Sequence, residues 1–518
     1  MHLMQPDLYG GKYMAKLVME YLEETAKKYP DKAAYVDKDR TITFSETRQE
    51  ALHVAGALVR RRLFKKPVAV YMDKRVECIP AMLGIAYSGN FYTVLDTQMP
   101  DTRIRHILNV LDPAVILTDR SHESAVLSIK GGAEILVYED AQESACEEEE
   151  ILDVMNKILP TDVLYVLFTS GSTGTAKGVV TPHRAVVDYV DAATDAFHFT
   201  SRDVMGNEAP LYFVMSLLDV YSTLRNGSTT CIIPRLYFSF PALLMRFLEE
   251  KKVTVLYWVP SELVVLANLK ALKLSDLSTV RMVMFGGEIM PIKQLNMWRE
   301  ALPQADFINQ YGPTETTDGG SYYFVDREFP ENARLPIGKP FRNYDFMILD
   351  ENNRRITDSA GGSGELCVRS NSLTYGYYRN QEMTDRVFTQ NPLNSCYEEK
   401  IYHTGDLVQY NDQGEIIFVG RKDFQIKYMG QRIELGDIEA NVSAIKGVEE
   451  NCCVYNEAKK RIVLFYTGKA EESFVNEELA KMLPAYMIPG RRVHLDSMPH
   501  NLNGKIDRAK LKSNAADL

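Results

Sequence analysis

The sequence lacks any run of about 18 apolar residues, the length at which a helix can cross a bilayer. Residues 1–16 also lack the apolar core that a secretory signal peptide carries. These two absences predict a cytosolic protein with no membrane span. A basic surface is lacking too, because 70 acidic residues outnumber 59 basic ones. This balance argues against a nucleic-acid partner, although a nucleotide needs only a few local donors.

Cysteine is scarce and follows no metal-binding pattern. The seven cysteines are an odd number, and no two of them have the Cys-x-x-Cys spacing. This argues against a zinc site and against a disulfide framework, so we expect free thiols in a reducing compartment.

The 518 residues exceed the size at which a single core stops growing, so we expect at least two domains. Short apolar or β-branched runs predict strands at 33–36, 68–71, 135–138, 163–168, 229–233, 253–257 and 283–285. Helical patterns occur at 14–28, 46–62, 241–251 and 291–302. This alternation predicts an α/β protein with parallel sheets covered on both faces. Turn-rich stretches past Asp350 predict a β-rich subdomain, and another unit begins near Gly420.

The clearest motif is a loop at residues 167–178, which reads LFTSGSTGTAKG and follows a predicted strand. Its three glycines let backbone N–H groups converge on an anion, and its five hydroxyls and Lys177 add donors for phosphate oxygens. A flexible Ser/Gly linker is the alternative, but a linker has no reason to carry a lysine after a buried strand. Gly178 follows the lysine where a Walker A motif has Ser or Thr, which argues against P-loop kinases. The loop therefore predicts binding of a nucleotide polyphosphate.

The loop resembles the signature of the adenylate-forming superfamily, which contains acyl-CoA synthetases, luciferases and adenylation domains of nonribosomal peptide synthetases. Further motifs of that family follow in order: NQYGPTETT (309–317), GELCV (364–368), YHTGDL (402–407), GRKDFQIKYMGQRIELGDIE (420–439) and NLNGKIDR (501–508). The last two look most like those of peptide-synthetase adenylation domains and of D-alanine–carrier protein ligases. Residues 212–227 and FGGE (285–288) are also similar to the D-alanine ligases. With 13 residues after Lys505, a stand-alone adenylation enzyme is expected.

The resemblance implies an AMP-forming acid–thiol ligase. Such an enzyme activates a small carboxylic acid as acyl-AMP, releases pyrophosphate, and then transfers the acyl group to a thiol. ATP and Mg²⁺ would be the cofactors, and the phosphopantetheine thiol of a holo carrier protein would be the acceptor, with CoA as the alternative. Outside enzymes, the alternative is a catalytically silent module that binds an acid or a nucleotide.

The resemblance also implies the domain organisation. A large N-terminal adenylation core would span residues 1–422 and include the β-rich subdomain at about 335–420. A small mobile α+β C-terminal domain would span 423–518, with Asp423 as the hinge.

Four catalytic roles follow from the resemblance. Lys505 would be the adenylation lysine, Thr314 would touch the α-phosphate, and Glu315 would hold Mg²⁺, a cation that prefers oxygen ligands. His183 lies where the family often has a histidine near the substrate carboxylate, although a histidine at a helix start fits the pattern equally well.

The same resemblance assigns nucleotide contacts. Tyr311 would stack on adenine with Asn309 at its edge, Asp406 would accept both ribose hydroxyls, and Arg421 and Lys427 would flank the ribose and phosphate. The implied ATP- or AMP-binding residues are Thr169, Ser170, Gly171, Ser172, Thr173, Gly174, Lys177, Gly286, Gly287, Glu288, Asn309, Tyr311, Gly312, Thr314, Asp406, Arg421 and Lys427.

The sequence departs from the family at the acid pocket. Amino-acid-activating members usually carry Phe-Asp there, and the aspartate pairs with the α-ammonium of the substrate, but this chain has Phe213-Val214. A buried ammonium without a counter-charge costs several kcal/mol, which favours an aryl, keto, hydroxy or fatty acid. Alternatively, the amine is met elsewhere, for example by Asp318, as in a β-amino acid. Asp219 is expected to face another side. The implied pocket positions are Val214, Met215, Leu218, Tyr257, Val283, Phe285, Gln310, Asp318 and Gly319.

Overall fold

The computed structural model describes residues 15–144, 147–169, 176–500 and 506–517. The helices are α1 (Val18–Lys28), α2 (Phe44–Arg60), α3 (Cys78–Tyr87), α4 (Asp101–Leu111), α5 (Glu123–Ile129), α6 (Tyr138–Glu143), α7 (Glu148–Met155), α8 (His183–Phe197), α9 (Ser216–Asn226), α10 (Arg235–Phe238), α11 (Pro241–Glu250), α12 (Pro260–Asn268), α13 (Ile292–Ala301), α14 (Gln381–Val387), α15 (Leu435–Ser443), α16 (Glu472–Met482) and α17 (Arg508–Asp517). Single 3₁₀ turns lie at Ala271–Lys273, Thr314–Thr316, Ser359–Gly361 and Ala485–Met487.

The strands follow the same chain order. They are β1 (Ala33–Val36), β2 (Thr41–Thr43), β3 (Pro67–Tyr71), β4 (Phe91–Val94), β5 (Val115–Thr118), β6 (Glu134–Val137), β7 (Val163–Thr169), β8 (Lys177–Pro182), β9 (Val204–Asn207), β10 (Thr229–Ile232), β11 (Val255–Trp258), β12 (Met282–Gly286), β13 (Asp306–Tyr311), β14 (Ser321–Phe324), β15 (Lys339–Pro340), β16 (Tyr344–Leu349), β17 (Arg355–Ile356), β18 (Ser363–Ser370), β19 (Phe388–Gln390), β20 (Lys400–Tyr410), β21 (Ile416–Arg421), β22 (Gln425–Tyr428), β23 (Gln431–Glu434), β24 (Val448–Asn456), β25 (Arg461–Gly468) and β26 (Arg491–His494).

Local sequence signals set several of these boundaries. Helix α1 ends before Tyr29-Pro30, because the residue before a proline is disfavoured in helical conformation. Helix α2 starts at a capping box. Thr43 Oγ1 accepts a hydrogen bond from the Glu46 amide at 3.1 Å, and the Thr43 amide donates to Glu46 Oε2 at 2.8 Å. These two bonds satisfy amides that the first helical turn leaves without partners.

Two sheets of largely parallel strands form the large N-terminal part. One has the order β15-β14-β13-β12-β11-β9-β10-β1-β2, and the other has the order β6-β5-β3-β4-β7-β8. Neighbouring strands from β13 to β1 run parallel, as do those from β6 to β7. The crossing connections are mostly helices, as parallel strands require. The carboxyl ends of β11, β12 and β13 lead to the motifs predicted to bind the acid and the nucleotide.

The chain then forms a β-rich subdomain and a small C-terminal domain. Strands β16 to β21, residues 344–421, form a six-stranded antiparallel sheet. The hairpin β22–β23, the sheet β24-β25-β26 and helices α15 to α17 follow. Arg103 on α4 joins the two parts through a buried ion pair with Asp437 on α15, at distances of 2.9 and 3.3 Å.

This architecture confirms the predicted fold class, a large α/β domain with a β-rich subdomain and a smaller α+β C-terminal domain. The predicted strands and helices agree with observed ones to within a few residues, and β1 agrees at both ends. Among the described residues, no helix combines the length and apolar character that a membrane span needs. The division of the chain at residue 422 stays a prediction.

Candidate active site

The predicted phosphate loop connects two antiparallel strands, β7 and β8, which pair Thr169 with Lys177. Ser170, Gly171, Ser172, Thr173 and Gly174 lie outside the described residues, as does Lys505. The Thr169 hydroxyl is buried and has no hydrogen-bond partner among the described residues, so it is available to form a hydrogen bond with a ligand. The ends of the loop are thus held by a strand pair.

Glu315 is fully buried on the 3₁₀ turn that follows β13. Arg432 on β23 donates to both of its carboxylate oxygens, at 2.6 and 2.8 Å, and the Tyr377 hydroxyl donates at 2.6 Å. Burial alone would raise the pKa of Glu315, but the guanidinium and the hydroxyl outweigh it and hold that pKa below its usual range. The carboxylate is therefore ionised and forms an ion pair with the Arg432 guanidinium.

Lys177 makes a second contact to the same strand. Its ammonium lies 3.0 Å from Glu434 Oε1 and 5.9 Å from the centre of the Tyr377 ring. Arg432 and Glu434 are two positions apart on β23, so their side chains leave the same face of the strand. Strand β23 therefore contacts Glu315, which the motifs assign to Mg²⁺, and Lys177, which the motifs assign to phosphate. We call Lys177, Glu315, Tyr377, Arg432 and Glu434 the phosphate end.

The residues predicted to bind ribose form a chain of hydrogen bonds. Asp406 on β20 is buried and accepts from the Tyr311 hydroxyl and from Arg421 Nη1. Arg421 also donates to both carboxylate oxygens of Asp423, at 2.6 Å each. Asp423 lies in a bend between β21 and β22, and this contact ties the predicted hinge to the nucleotide residues.

The hairpin β22–β23 lies against the N-terminal part. Its turn residues Met429 and Gly430 both have positive φ, as two-residue hairpin turns of type I′ require. A Cβ on Gly430 would lie 2.5 Å from Val259 Cγ1, so only glycine allows this approach. The Gly430 amide donates to Glu288 Oε1 at 2.9 Å. On β22, burial lowers the pKa of Lys427, whose ammonium lies 5.6 Å from the centre of the Tyr311 ring.

Close backbone approaches explain two of the predicted glycines. A Cβ on Gly286 would lie 2.6 Å from the Gln310 carbonyl oxygen, and one on Gly312 would lie 1.9 Å from that of Asp318. Gly287 has a φ of +85° beside Met215. These positions let β12 and the turn after β13 come together at the carboxyl edge of the sheet.

The predicted acid pocket is partly assembled in one cavity. Val214, Met215, Tyr257, Gln310 and Asp318 line it, and we call these five residues the acid end. Thr314, Asp406, Arg421, Lys427 and Arg432 line the same cavity. Gly319 supports the acid end, because a Cβ there would lie 2.6 Å from the Tyr189 ring and 2.7 Å from Gln310 Nε2.

Besides Gly319, three predicted pocket residues, Leu218, Val283 and Phe285, do not line this cavity. Val283 and Phe285 are fully buried, and they belong to an apolar cluster with Trp258. Strand β12 pairs in register with β11, so Val283 and Phe285 share a face with Leu256 and Trp258, opposite Tyr257. Leu218 is buried in the apolar core through α9. These three residues therefore belong to the apolar core in this structure, and their role in the acid pocket stays a prediction.

Two further predicted residues, His183 and Asn309, do not line this cavity either. His183 is the first residue of α8 and is almost fully buried, and burial lowers its pKa to about 3, so its ring is neutral. It lines neither described cavity. Asn309 donates from Nδ2 to the Pro336 carbonyl at 2.8 Å, which fixes its amide beside the nucleotide residues. Asp219, as expected, faces away from the cavity, where Asn207 Nδ2 donates to it at 2.8 Å.

The motifs missed several residues that build the site. Arg432 and Glu434 lie within the motif at 420–439, and their spacing of two residues places them on one face of β23. Tyr189 and Tyr377 lie outside the motifs, and only the fold brings them to Asp318 and Glu315. A second cavity, of about 640 Å³, adjoins the phosphate end and is lined by Lys177, Tyr377, Arg432 and Glu434.

The site combines the buried carboxylates of Glu315 and Asp406, the Lys177 end of the predicted phosphate loop, and a cavity lined by five predicted acid-pocket residues. A model of the family described as AMP-binding enzyme matches residues 22–378, which is more than half of the chain. The protein is therefore a member of the AMP-binding enzyme family, and the family predicted from the motifs is confirmed.

Two similar proteins are a carrier-protein ligase and a peptide synthase. L-proline--[L-prolyl-carrier protein] ligase from Streptomyces coelicolor is 30% identical over 523 residues, which cover 95% of this chain and 96% of that protein. Tyrocidine synthase 1 from Brevibacillus parabrevis is 30% identical over 502 residues, which cover 96% of this chain. The chain spans 45% of the length of that synthase.

A solved structure supports the fold. NpsA-ThdA, an artificially fused adenylation–PCP di-domain NRPS from Klebsiella oxytoca, matches with a TM-score of 0.80 at 22% sequence identity, and the match covers 98% of each chain. At this identity the likeness shows the fold alone.

Proposed function

We propose that the protein is an ATP-dependent ligase that activates a small carboxylic acid as acyl-AMP and passes the acyl group to a phosphopantetheine thiol. The observation that carries this proposal is the shared cavity. Its lining includes the acid end and also Thr314, Asp406, Arg421 and Lys427 of the nucleotide set. The residues predicted to contact the acid and those predicted to contact the nucleotide therefore border one cavity, and adenylation requires the carboxylate and the α-phosphate to be held side by side.

In the first half-reaction, a carboxylate oxygen of the acid attacks the α-phosphorus of ATP. The bond from that phosphorus to the bridging oxygen breaks, and pyrophosphate leaves with the electron pair. Lys177, Thr169 and the loop between them would hold the β- and γ-phosphates, and Asp406 would hold the ribose. Lys505 would neutralise the charge that develops between the carboxylate and the α-phosphate.

Glu315 is the proposed ligand of Mg²⁺. Its carboxylate is ionised, buried and already bound to a cationic group, which fits a hard cation that takes oxygen ligands. Such an ion would supply positive charge beside the polyphosphate. In this structure Arg432 donates to both carboxylate oxygens of Glu315. We therefore propose that Glu315 binds Mg²⁺ in one state of the enzyme and pairs with Arg432 in another.

The described arrangement suits the second half-reaction. Arg432 and Glu434 contact Glu315 and Lys177, the side chains that would otherwise bind Mg²⁺ and pyrophosphate. We therefore propose that pyrophosphate leaves before the C-terminal domain adopts this position, with rotation about Asp423 between the two states. A thiol then attacks the acyl carbon, the bond to AMP breaks, and the thiol loses its proton.

The proposed acceptor is a holo carrier protein. A ligase named for an L-prolyl-carrier protein aligns over nearly its whole length with this chain, which supports this choice. CoA carries the same arm and is the alternative acceptor. Presenting both acceptors in parallel to the preformed acyl-AMP distinguishes them by which one becomes acylated.

The proposed substrate is an acid without an α-ammonium group. Val214 lines the acid end where α-amino-acid-activating relatives would place an aspartate, and it offers no counter-charge. Aryl, keto and hydroxy acids fit this condition better than an ordinary α-amino acid does. An amino acid whose amine lies elsewhere, or a D-alanine-like acid bound in an unusual way, is the alternative.

Exchange of labelled pyrophosphate into ATP, measured over a panel of benzoates, keto acids, hydroxy acids and amino acids, tests the proposal. We expect acid-dependent exchange that Asp406→Asn abolishes. Asp412→Asn is the matched control, because Asp412 is exposed in a turn of the same subdomain. No exchange with any acid would favour the silent binding module, and a strict need for an α-amine would refute the interpretation of Val214. A cytosolic location stays a prediction.

A further inference from the structure

Asp318 is held at the acid end by an uncommon backbone conformation. Thr317 and Asp318 both have positive φ, at 59° and 72°. A β-branched residue such as Thr317 rarely adopts this conformation, which costs free energy and persists where the surroundings enforce it. The Thr317 hydroxyl donates to the Ser372 carbonyl at 2.8 Å, and Gly312 leaves room for the Asp318 backbone. The fold therefore holds a strained turn that directs a carboxylate into the pocket.

The carboxylate of Asp318 is 3% exposed and has only neutral donors. The Tyr189 hydroxyl donates to Oδ2 at 2.7 Å, the Tyr257 hydroxyl donates to Oδ1 at 3.3 Å, and Gln310 Nε2 lies 3.4 Å from Oδ2. Within the described ranges, no Lys, Arg or His nitrogen lies within 4.0 Å of this carboxylate. A buried carboxylate is usually paired with a cation, so this one lacks its customary partner.

The neighbouring amide adds a second acceptor. Gln310 Nε2 donates to the hydroxyls of Tyr189 and Tyr257, at 2.8 and 2.9 Å. Its Oε1 atom is buried and has no hydrogen-bond partner among the described residues. Gln310, Asp318 and Tyr257 all line the cavity that Val214 closes with an apolar surface. The acid end thus has a carboxyl group without a cationic partner next to an unused acceptor, while the Val214 side chain carries no charge.

We propose that Asp318 is the counter-ion for an ammonium group of the substrate, so that the acid is an amino acid whose amine lies beyond the α-carbon. The inference rests on the proposed function and narrows it, because among acids that lack an α-ammonium it selects the alternative named there, a β- or more distant amino acid, over an aryl, keto or hydroxy acid. An ammonium has three N–H donors, which matches Asp318 together with Gln310 Oε1. Its charge would neutralise the buried carboxylate where a neutral acid would leave it unpaired.

Pairs of acids of equal shape test the inference on the unchanged protein. Each pair replaces an ammonium by a methyl group: 3-aminobutanoate with 3-methylbutanoate, 4-aminobutanoate with pentanoate, and 3-amino-3-phenylpropanoate with 3-phenylbutanoate. We expect pyrophosphate exchange with the amine of at least one pair, at a kcat/KM about 100-fold above that of its methyl partner. The methyl compound lacks the ammonium and would leave the buried charge of Asp318 without a partner, which lowers affinity by about this factor. Methyl partners that exchange as well as the amines, or exchange confined to neutral acids or to α-amino acids, overturn it.

Asp318→Asn keeps the shape of the side chain and removes its charge. We expect this variant to lose about 100-fold in kcat/KM for the amine while exchange with neutral acids is retained or improved. The matched control is Asp219→Asn, a buried aspartate that does not line the cavity, and it should keep the preference for the amine. Equal losses for amines and neutral acids in Asp318→Asn would overturn the inference. Absence of exchange with every acid in both panels would instead defeat the proposed function itself.

Discussion

The phosphate end and the acid end differ in how their buried charged side chains are paired. At the phosphate end, each buried charge meets an opposite charge from the C-terminal domain, as Glu315 meets Arg432 and Lys177 meets Glu434. At the acid end, Asp318 is equally buried but has only hydroxyl and amide donors. One end therefore carries its own counter-charges, and the other leaves a counter-charge to be supplied.

This difference suggests that the phosphate end acts on ATP whichever acid is bound, whereas the acid end determines which acid is bound. Residues that act on ATP should matter equally for every acid, because all acids share the same polyphosphate. Residues at the acid end should change which acid is accepted. Variants can test this division by whether their effect depends on the acid.

The largest effect is expected from Lys505→Ala. This lysine is assigned to the charge that develops between carboxylate and α-phosphate, and loss of one such contact costs about 100- to 1,000-fold in rate. We expect pyrophosphate exchange to fall by at least that factor with every acid, while transfer from preformed acyl-AMP is largely spared. The control is Lys510→Ala, an exposed lysine on α17. Equal loss of both half-reactions would remove the proposed role.

Arg432→Ala should act on the opposite half-reaction. Without the guanidinium, Glu315 would be a buried carboxylate with no cation whenever β23 is docked, which destabilises that arrangement by about 3–5 kcal/mol. We expect thioester formation to fall by about 100-fold or more, with pyrophosphate exchange retained, as separate assays of the two steps would measure. Arg491→Ala removes an exposed arginine of β26 and serves as the control. A parallel loss of exchange would contradict the alternate use of Glu315 by Mg²⁺ and Arg432.

Much of the fold was predictable because its signals are local. Runs such as 33–36 and 163–168 are short, apolar and bounded by turn residues, and they form β1 and β7. Pro30 marked the end of α1 in the same way. The ordered motifs also identified the family, since they combine glycines, hydroxyls and charges that single elements rarely share.

The details of the site were less predictable, because they depend on contacts between distant segments. The face of β12 that Val283 and Phe285 occupy follows from its register with β11, which local spacing does not reveal. Tyr189 reaches Asp318 across 129 positions, and Arg432 reaches Glu315 across 117. Such pairs carry no sequence signal unless the fold is known.

A pH dependence should distinguish the acid end from the phosphate end. Burial, with a smaller contribution from the charge of Asp219, raises the pKa of Asp318 to about 7, although the hydroxyls of Tyr189 and Tyr257 act in the opposite direction. The carboxyl group is therefore neutral below that pH and charged above it. We expect KM for an amine substrate to rise about 10-fold per pH unit below 7, relative to KM for its methyl partner. A constant ratio, or the same slope in Asp318→Asn, would contradict the assigned counter-ion.

The smallest effect is expected from Tyr377→Phe at the phosphate end. This change removes the 2.6 Å hydrogen bond to Glu315 but leaves Arg432 in place. A hydrogen bond to a charged group contributes about 1.5–3 kcal/mol, and the remaining ion pair should hold the loss near the lower limit. We expect thioester formation to slow by about 10-fold, equally for amine and neutral acids. Tyr375→Phe, which removes a 2.8 Å bond to the Thr161 carbonyl, is the matched control. If the loss in Tyr377→Phe varied with the acid, the two ends would be coupled through Glu315.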